Sequence, residues 1–129
     1  MEGITEGVNN ISISSESQKK NRIQVSNTKK SLFFYVNLSK RYMQQYNEVE
    51  LCGLGMAIST VVSIAEILKN NGFAVEKKIR TLTVDMRDEP GARPIPKAKI
   101  EILLGKTQNF DELMAAEAEE REYGGEEQN

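Results

Sequence analysis

The sequence predicts a small α+β protein, a two-layer sandwich with the element order βαβαββ. A chain of 129 residues with 39% apolar residues is long enough for one core but not for two. Two segments carry apolar residues at helical spacing, and four others alternate in polarity or are rich in strand-forming residues. Right-handed crossovers would place both helices on one face of a mixed sheet, so we expect the other face to be partly open.

The first part of the chain predicts an arm, a strand and a helix. Residues 1–20 are rich in Ser, Asn, Glu and Gly, so we expect a disordered acidic and polar arm. Residues 22–26 alternate in polarity, which predicts a short half-buried strand. A polar turn follows, and Thr28 or Ser31 is the predicted cap of an amphipathic helix over residues 32–46.

A second strand is predicted around residues 49–51, and a turn at Gly53-Leu54-Gly55 leads into a second helix over residues 56–71. The apolar residues of this helix spread over roughly 220°, although a one-sided helix needs a stripe of only about 100°. One face can cover the sheet, and the remainder predicts a dimer. The predicted interface residues are Ile64, Leu68 and Phe73. A helix buried within a small monomer is the alternative.

The last part of the predicted domain is a long hairpin. Residues 75–87 are rich in strand-forming residues, residues 88–94 form a turn by their Pro and Gly content, and residues 98–104 alternate most clearly. We therefore expect the domain to cover residues 21–106. Residues 107–129 are predicted to be an acidic tail, helical over about residues 111–123 and marginal by itself.

The charges of the chain are segregated along the sequence. The formal net charge is −2 for the whole chain, but it is −3 over residues 1–18, +8 over residues 19–106 and −7 over residues 107–129. A basic body between acidic ends is typical of nucleic-acid-binding proteins, and a solvated surface of mixed charge is the alternative. The predicted binding residues are Lys29, Lys30, Lys40, Arg41, Arg87, Arg93 and Lys97.

Three neighbouring aromatic residues, Phe33, Phe34 and Tyr35, lie next to the paired lysines in the first predicted helix. Any of them can stack on a base, but aromatic residues in a helical stripe more often belong to a core. Long cations on loops follow a phosphate backbone without reading bases. The pattern therefore predicts binding of RNA and DNA with little sequence specificity.

The composition argues against catalysis. The chain has no histidine and a single cysteine, Cys52, so it has neither a histidine-based catalytic set nor a thiolate cluster for a metal. The Gly53-Leu54-Gly55 run lacks the third glycine of a dinucleotide-binding loop, because Ile58 stands there. We therefore predict a non-enzymatic protein without cofactor or metal, and we expect Cys52 to be buried and inert.

Neither a membrane-spanning stretch nor a signal peptide is recognisable in the sequence. We therefore expect no membrane partner and a location in the nucleus and cytoplasm.

Several sequence runs together resemble the Alba domain, especially its short plant-type members. These runs are Asn21-Arg22-Ile23-Gln24-Val25-Ser26, Lys29-Lys30-Ser31-Leu32-Phe33-Phe34-Tyr35-Val36, Gly55-Met56-Ala57-Ile58-Ser59, Glu66-Ile67-Leu68-Lys69-Asn70 and Ala98-Lys99-Ile100-Glu101-Ile102. They cover about residues 20–106 in order, so the resemblance is not a single-motif match.

The resemblance implies a fold similar to the C-terminal domain of translation initiation factor three. It also implies homodimers, or heterodimers with another Alba protein, which bind DNA, RNA and DNA–RNA hybrids, including R-loops. Lys29 and Lys30 match paired lysines that contact nucleic acid and can be acetylated. Arg93 matches a hairpin arm that reaches toward the minor groove. An alternative is a protein subunit of a ribonucleoprotein similar to ribonucleases P and MRP.

The chain also departs from the family pattern at several positions. Ser31 stands where archaeal members have a proline, and Leu54 and Met56 stand where they carry arginines. The Gly124-Gly125 pair lacks the arginine repeats of longer eukaryotic tails. The archaeal binding surface therefore does not carry over unchanged.

Overall fold

The computed structural model describes residues 20–87 and 89–128 of the chain. In chain order, these residues form β1 (Arg22–Gln24), α1 (Leu32–Tyr46), β2 (Glu48–Leu54), a 3-10 turn (Gly55–Ala57), α2 (Ile58–Asn70), β3 (Ala74–Met86), β4 (Ile95–Lys106) and α3 (Phe110–Gln128). The predicted order βαβαββ is confirmed, with α3 following it. The predicted arm lies outside the described residues except for Lys20.

The four strands form one mixed sheet in the order β1-β2-β4-β3. β1 runs parallel to β2, whereas β4 pairs antiparallel with both β2 and β3. β3 and β4 form a hairpin, and β4 lies between β3 and β2 because it also pairs with β2. This arrangement leaves β1 at one edge of the described sheet and β3 at the other.

The hydrophobic core lies between the helices and one face of the sheet. Register places Val49 opposite Leu104 and Leu51 opposite Ile102, so these four apolar side chains point to the same face. All four are buried. The helices contribute the buried side chains of Tyr35, Val36, Met43, Val61, Ile64, Ala65 and Leu68. The opposite sheet face carries charged residues instead, as the alternation along β4 predicts.

Specific residues fix the ends of the two crossover helices. Ser31 caps α1, because its Oγ accepts the N–H of Phe34 at 3.1 Å. After α2, Gly72 has a φ of +86°, a left-handed conformation that favours glycine. There the N–H groups of Gly72 and Phe73 donate to the carbonyls of Lys69 and Leu68, which ends the helix with a Schellman motif.

The predicted dimer interface needs a correction. Ile64, Leu68 and Phe73 have exposed fractions of 0%, 0% and 4%, because they pack in the core of the single chain. In this packing their side chains are enclosed by the chain itself and do not form a surface for a second copy. The outer side of the helix is mixed, since the exposed Val62 and the half-buried Ile67 lie beside the exposed Ser59, Ser63 and Glu66.

The first part of the C-terminal helix packs against the domain. Phe110 is 1% exposed and meets Phe73 edge to face, with 5.9 Å between the ring centroids. Leu113 and Met114 pack against the same core. This first part of α3 therefore has the tertiary support that its composition alone does not predict. No helix within residues 20–87 and 89–128 is long and apolar enough to cross a bilayer.

Candidate nucleic-acid interface

Lys29 and Lys30 lie exposed in the loop between β1 and α1, a region we call the lysine corner (residues 26–31). The loop is held at its start, because the N–H of Ser26 donates to the hydroxyl oxygen of the buried Tyr35 at 3.0 Å. It is held at its end by the Ser31 cap. Both lysines are therefore displayed on a loop whose two ends are fixed to the same helix.

A polar notch lies beside Lys30, between the beginnings of α1 and α2. The side chains that line it include the hydroxyls of Ser31, Ser59, Thr60 and Ser63. A helix beginning presents N–H groups and a partial positive charge, both of which favour an anion. Together with the ammonium group of Lys30, the notch offers the donors that a phosphate group accepts.

The aromatic residues near the lysine corner have different environments. Tyr35 is buried in the core with an exposed fraction of 5%, whereas Phe33 and Phe34 are 65% and 37% exposed. The ammonium of Lys30 lies 5.0 Å from the centroid of the Phe34 ring. Of the three aromatic candidates in the sequence, only the two phenylalanines are therefore accessible to a ligand.

The hairpin of β3 and β4 carries the second basic group, Arg87, Arg93 and Lys97. The pairing runs to Met86 opposite Ile95, and both of these apolar side chains are exposed. Gly91 in the turn has a φ of +84°. Arg87 braces this turn, because its Nη1 donates to the carbonyl of Ala92 at 2.7 Å.

Arg93 and Lys97 are exposed near the end of this hairpin and form no ion pair within the described residues. The lysine corner follows the edge strand β1, and the hairpin includes the edge strand β3. Lys29 and Lys30 thus share one loop, and the three basic residues of the hairpin share another. The two groups lie at opposite edges of the sheet.

Lys40 does not belong to a surface site, which corrects its prediction as a binding residue. Its exposed fraction is 8%, its ammonium lies 2.7 Å from a carboxylate oxygen of Glu117, and it also lies 4.1 Å from the centroid of the Phe73 ring. These two partners already compensate its charge. The neighbouring Arg41 points to solvent and is exposed.

The open sheet face carries a charged cluster that sequence reasoning missed. Glu101 is 8% exposed, and three cations surround it. The distances from its carboxylate oxygens are 2.9 Å to Arg22 Nη2, 3.2 Å to Arg80 Nε and 3.4 Å to Lys99 Nζ. The alternation along β4 predicts an outward Glu101, but the partners on β1 and β3 depend on the strand order.

This cluster changes the acidity of its members. Burial by itself favours the neutral form of Glu101, but the hydrogen bond and charge of Lys99, together with Arg80 and Arg22, hold the pKa of Glu101 below its usual value. Burial raises the pKa of the Cys52 thiol, and the nearby Arg22 opposes this only in part. Cys52 is thus buried, as expected, and protonated at neutral pH.

Potential ligand atoms of Glu50, Cys52 and Glu101 lie within 4.8 Å of one another. This spacing would suit a metal ion, but the same carboxylates are engaged by cations. Arg22 lies 3.8 Å from Glu50 and 2.9 Å from Glu101. Ion pairing within the sheet accounts for this arrangement, so we assign it a structural role.

The fold and the basic groups define a class of small two-layer α+β domains that present cations from a loop and a hairpin. The family description for Alba matches residues 21–85, and the chain belongs to the Alba family. Alba proteins generally bind nucleic acids, form dimers and lack catalytic activity. The predicted fold class is thereby confirmed.

Several relatives support this assignment. The chain is 71% identical to an uncharacterized protein of Arabidopsis thaliana over 122 residues, which is 95% of this chain and 94% of the relative. It is similar to the crystal structure of ALBA1 from Trypanosoma brucei, with a TM-score of 0.72, 29% identity and coverage of 86% and 90% of the two chains. Alba from Thermoplasma volcanium has a TM-score of 0.58, 26% identity and coverage of 67% and 100%.

Proposed function

We propose that this protein binds RNA, DNA and DNA–RNA hybrids, including R-loops, with little sequence specificity and without catalysing a reaction. The proposed contacts are Lys29, Lys30, Arg41, Arg87, Arg93 and Lys97. Lys40 is left out because its ammonium is buried against Glu117. We further propose that the protein acts as a homodimer, or as a heterodimer with another Alba protein, in the nucleus and cytoplasm.

The lysine corner is the observation that carries this proposal. Lys29 and Lys30 are exposed, and neither forms an ion pair within the part of the chain that the structure describes. Both stand just before the beginning of α1, and Lys30 lines the notch along with the hydroxyl groups. Unpaired cations, hydroxyls and helix N–H groups at one place are the donors that bind phosphate in nucleic acids.

The hairpin supports contact with a long polyanion rather than with a single phosphate. β3 is exposed along most of its length, and its partner β4 is exposed from Ile95 to Ala98. Arg93 and Lys97 therefore lie on an arm that extends beyond the helix-covered part of the sheet. Flexible cations of this kind contact the phosphate backbone, which is common to RNA, DNA and hybrids, so they do not distinguish base sequence.

Exposed apolar side chains on α2 and on the turn before it support association between copies. Val62 of α2 and Met56 of the preceding 3-10 turn are 42% and 79% exposed, although most large apolar side chains of the described domain are buried. Two copies would bring together two lysine corners and two hairpins. Such duplication increases the number of phosphate contacts, and with it the affinity for a long nucleic acid.

Equilibrium binding across a salt series tests the proposal with the full chain and matched RNA, DNA and hybrid oligonucleotides. We expect log affinity to fall linearly with log salt for all three, because cations of the protein displace counterions. The double variant K29Q/K30Q should bind all three more weakly and reduce the salt slope by about 2 per chain. A variant with two changed lysines elsewhere, K77Q/K78Q, controls for loss of net charge.

Two results would contradict the proposal. One is an affinity that does not change with salt. The other is a K29Q/K30Q variant that binds all three nucleic acids as tightly as the unmodified chain. A comparison of affinities at one fixed salt concentration gives the order of preference among RNA, DNA and hybrid.

A further inference from the structure

We propose that a groove between α1 and β1, which we call the aromatic groove, binds unpaired bases of a single nucleic-acid strand. Phe34 is the ring on which a base stacks. This inference rests on the proposed function and deepens it, because it assigns one part of the surface to single-stranded ligands. Binding through phosphates alone would not distinguish a single strand from a duplex.

The groove follows one face of the first helix. Phe34, Leu38 and Tyr42 line it, and they are spaced by four residues along α1, so they lie on the same side of the helix. At a rise of 1.5 Å per residue, Phe34 and Tyr42 are about 12 Å apart along the axis. The other wall is the segment Ile23–Ser26 of β1 and the loop after it. The groove is therefore long, open at the surface and bounded by aromatic rings.

Phe34 is held in place before any ligand arrives. Its ring meets Tyr35 edge to face, with centroids 5.5 Å apart and an interplanar angle of 79°. Tyr35 is itself buried and accepts the N–H of Ser26 at 3.0 Å. The Phe34 ring nevertheless stays 37% exposed, with the Lys30 ammonium 5.0 Å from its centroid. A base that stacks on the ring takes the place of this ammonium, which can then pair with a phosphate of the same strand.

The charge of the lining selects the kind of ligand. The described residues that line the groove include the cations Arg22, Lys29 and Lys30 and no acid. Arg22 shares its charge with Glu101, so the two lysines provide the excess positive charge. An apolar peptide would gain nothing from these lysines. A polyanion with flat, apolar side groups satisfies both the rings and the cations, and a single nucleic-acid strand has this composition.

A duplex does not offer free base faces to the aromatic rings of the groove. Its bases are already stacked on one another, and their faces are not available to a ring on a protein surface. Unpaired bases expose those faces, and stacking on an aromatic side chain is tolerant of base identity. The groove therefore predicts a preference for single-stranded segments without a preference for sequence.

Tryptophan fluorescence gives a direct test, because the chain contains no tryptophan. The variant F34W places a single indole in the groove of the full chain. We expect its emission to be quenched by a single-stranded oligothymidylate, and unchanged by an abasic oligonucleotide of the same length, which has the phosphates but no bases. The variant F33W is the matched control, since Phe33 is exposed on the same helical turn but does not line the groove.

Binding of the variant F34L separates this inference from the proposed function. We expect at least about fivefold weaker binding of the oligothymidylate, with binding of duplex DNA and of the abasic strand unchanged. Unchanged duplex binding also shows that F34L is folded. K29Q/K30Q should instead weaken binding of all three ligands, and its failure to do so would overturn the proposed function.

The inference about the groove fails on either of two results. Equal quenching of F34W by the normal and the abasic strand would show that no base stacks there. Equal affinity of F34L and the unmodified chain for the oligothymidylate would also show that no base stacks on Phe34. The proposed function would still stand in that case if K29Q/K30Q weakens binding. Quenching of F33W alone would place the base outside the groove.

Discussion

The ammonium of Lys40 lies 2.7 Å from a carboxylate oxygen of Glu117, a residue 77 positions further along the chain. Lys40 is on α1 and Glu117 is on α3, so the pair joins the acidic C-terminal helix to the basic body of the domain. The Phe73 ring, 4.1 Å away, covers the same ammonium. This position explains why Lys40 acts in packing and not at the surface.

Removal of the Glu117 charge should destabilise the protein. In E117Q, the buried Lys40 ammonium keeps its charge but loses its counter-charge, and Glu117 itself is partly exposed, which limits the loss. We expect the free energy of unfolding in urea to fall by about 1–2 kcal/mol. E119Q makes the same change of charge at an exposed position of the same helix and should alter stability by less than about 0.5 kcal/mol. Equal stability of the two variants would contradict the assignment.

Binding measurements distinguish Lys40 from the lysine corner. K40M keeps the apolar stem and removes the ammonium. We therefore expect a change in the free energy of unfolding, but no change in the affinity for RNA or in the salt dependence of that affinity. K29M removes an exposed cation from the corner and should lower both affinity and slope. A K40M variant that is folded and binds as weakly as K29M would show that Lys40 contributes to nucleic-acid binding after all.

The lowered pKa of Glu101 predicts that the free energy of unfolding depends on pH. Its pKa is lowered in the folded protein, so the native state holds the carboxylate and binds fewer protons than the unfolded chain. The stabilisation is therefore present above the unfolded pKa of about 4.3, and it is lost as the pH falls through the lower folded value. We expect E101Q to be less stable by about 1–3 kcal/mol at pH 7, with the difference shrinking below about pH 4.

Thermal or urea unfolding at several pH values measures this difference. E48Q is the matched control, because Glu48 lies on the same sheet face and pairs with a single, exposed lysine, Lys77. We expect E48Q to differ little from the unmodified chain in its free energy of unfolding at every pH. A difference for E101Q that is the same at pH 3 and pH 7 would show that the Glu101 carboxylate does not act through its charge.

Two glycines in the sheet should respond differently to alanine. A Cβ at Gly53 would lie 2.6 Å from Cγ2 of Val61 and 3.0 Å from the carbonyl oxygen of Ala57. Val61 is fully buried in the core, and the Ala57 carbonyl is backbone of the 3-10 turn that leads into α2, so the contact is costly to relieve. A Cβ at Gly105 would also meet an atom at 2.6 Å, but this is Cε of the flexible, exposed Lys77. We expect G53A to lower the unfolding free energy by about 1–3 kcal/mol and G105A to change it much less.

Calorimetric or urea unfolding of both variants checks this expectation, with circular dichroism to confirm that each retains its secondary structure. Similar losses for both would mean that the alanine itself, and not the packing of α2 on β2, determines the effect. A stable G53A would show that the helix can move away from the strand at little cost.

Local features could be predicted from the sequence, whereas contacts between distant segments could not. The helix over residues 32–46 was predicted with the bounds of α1, because its apolar spacing and the Ser31 cap are properties of adjacent residues. By contrast, Ile64 and Phe73 were assigned to an interface because the sequence does not show that they pack in the core of the single chain, Phe73 against Phe110 of α3. Whether Phe34 or Tyr35 is exposed likewise depends on how α1 is oriented on the sheet, which the helical spacing alone leaves open.

Arg87 and Arg93 make different contacts in the hairpin and should differ in function. Arg87 donates to the Ala92 carbonyl across the turn, whereas Arg93 is exposed and forms no ion pair within the described residues. Since Arg93 is free to contact a phosphate, R93Q should reduce the salt slope of RNA binding by about 1 per chain and lower affinity similarly for unrelated sequences. R87Q also removes a charge but loosens the turn, so it should increase hydrogen exchange or proteolysis between residues 87 and 94, and R93Q should not. An R93Q variant with an unchanged slope would exclude the hairpin tip from the phosphate contacts, and a selective loss for one base sequence would show that Arg93 reads bases instead.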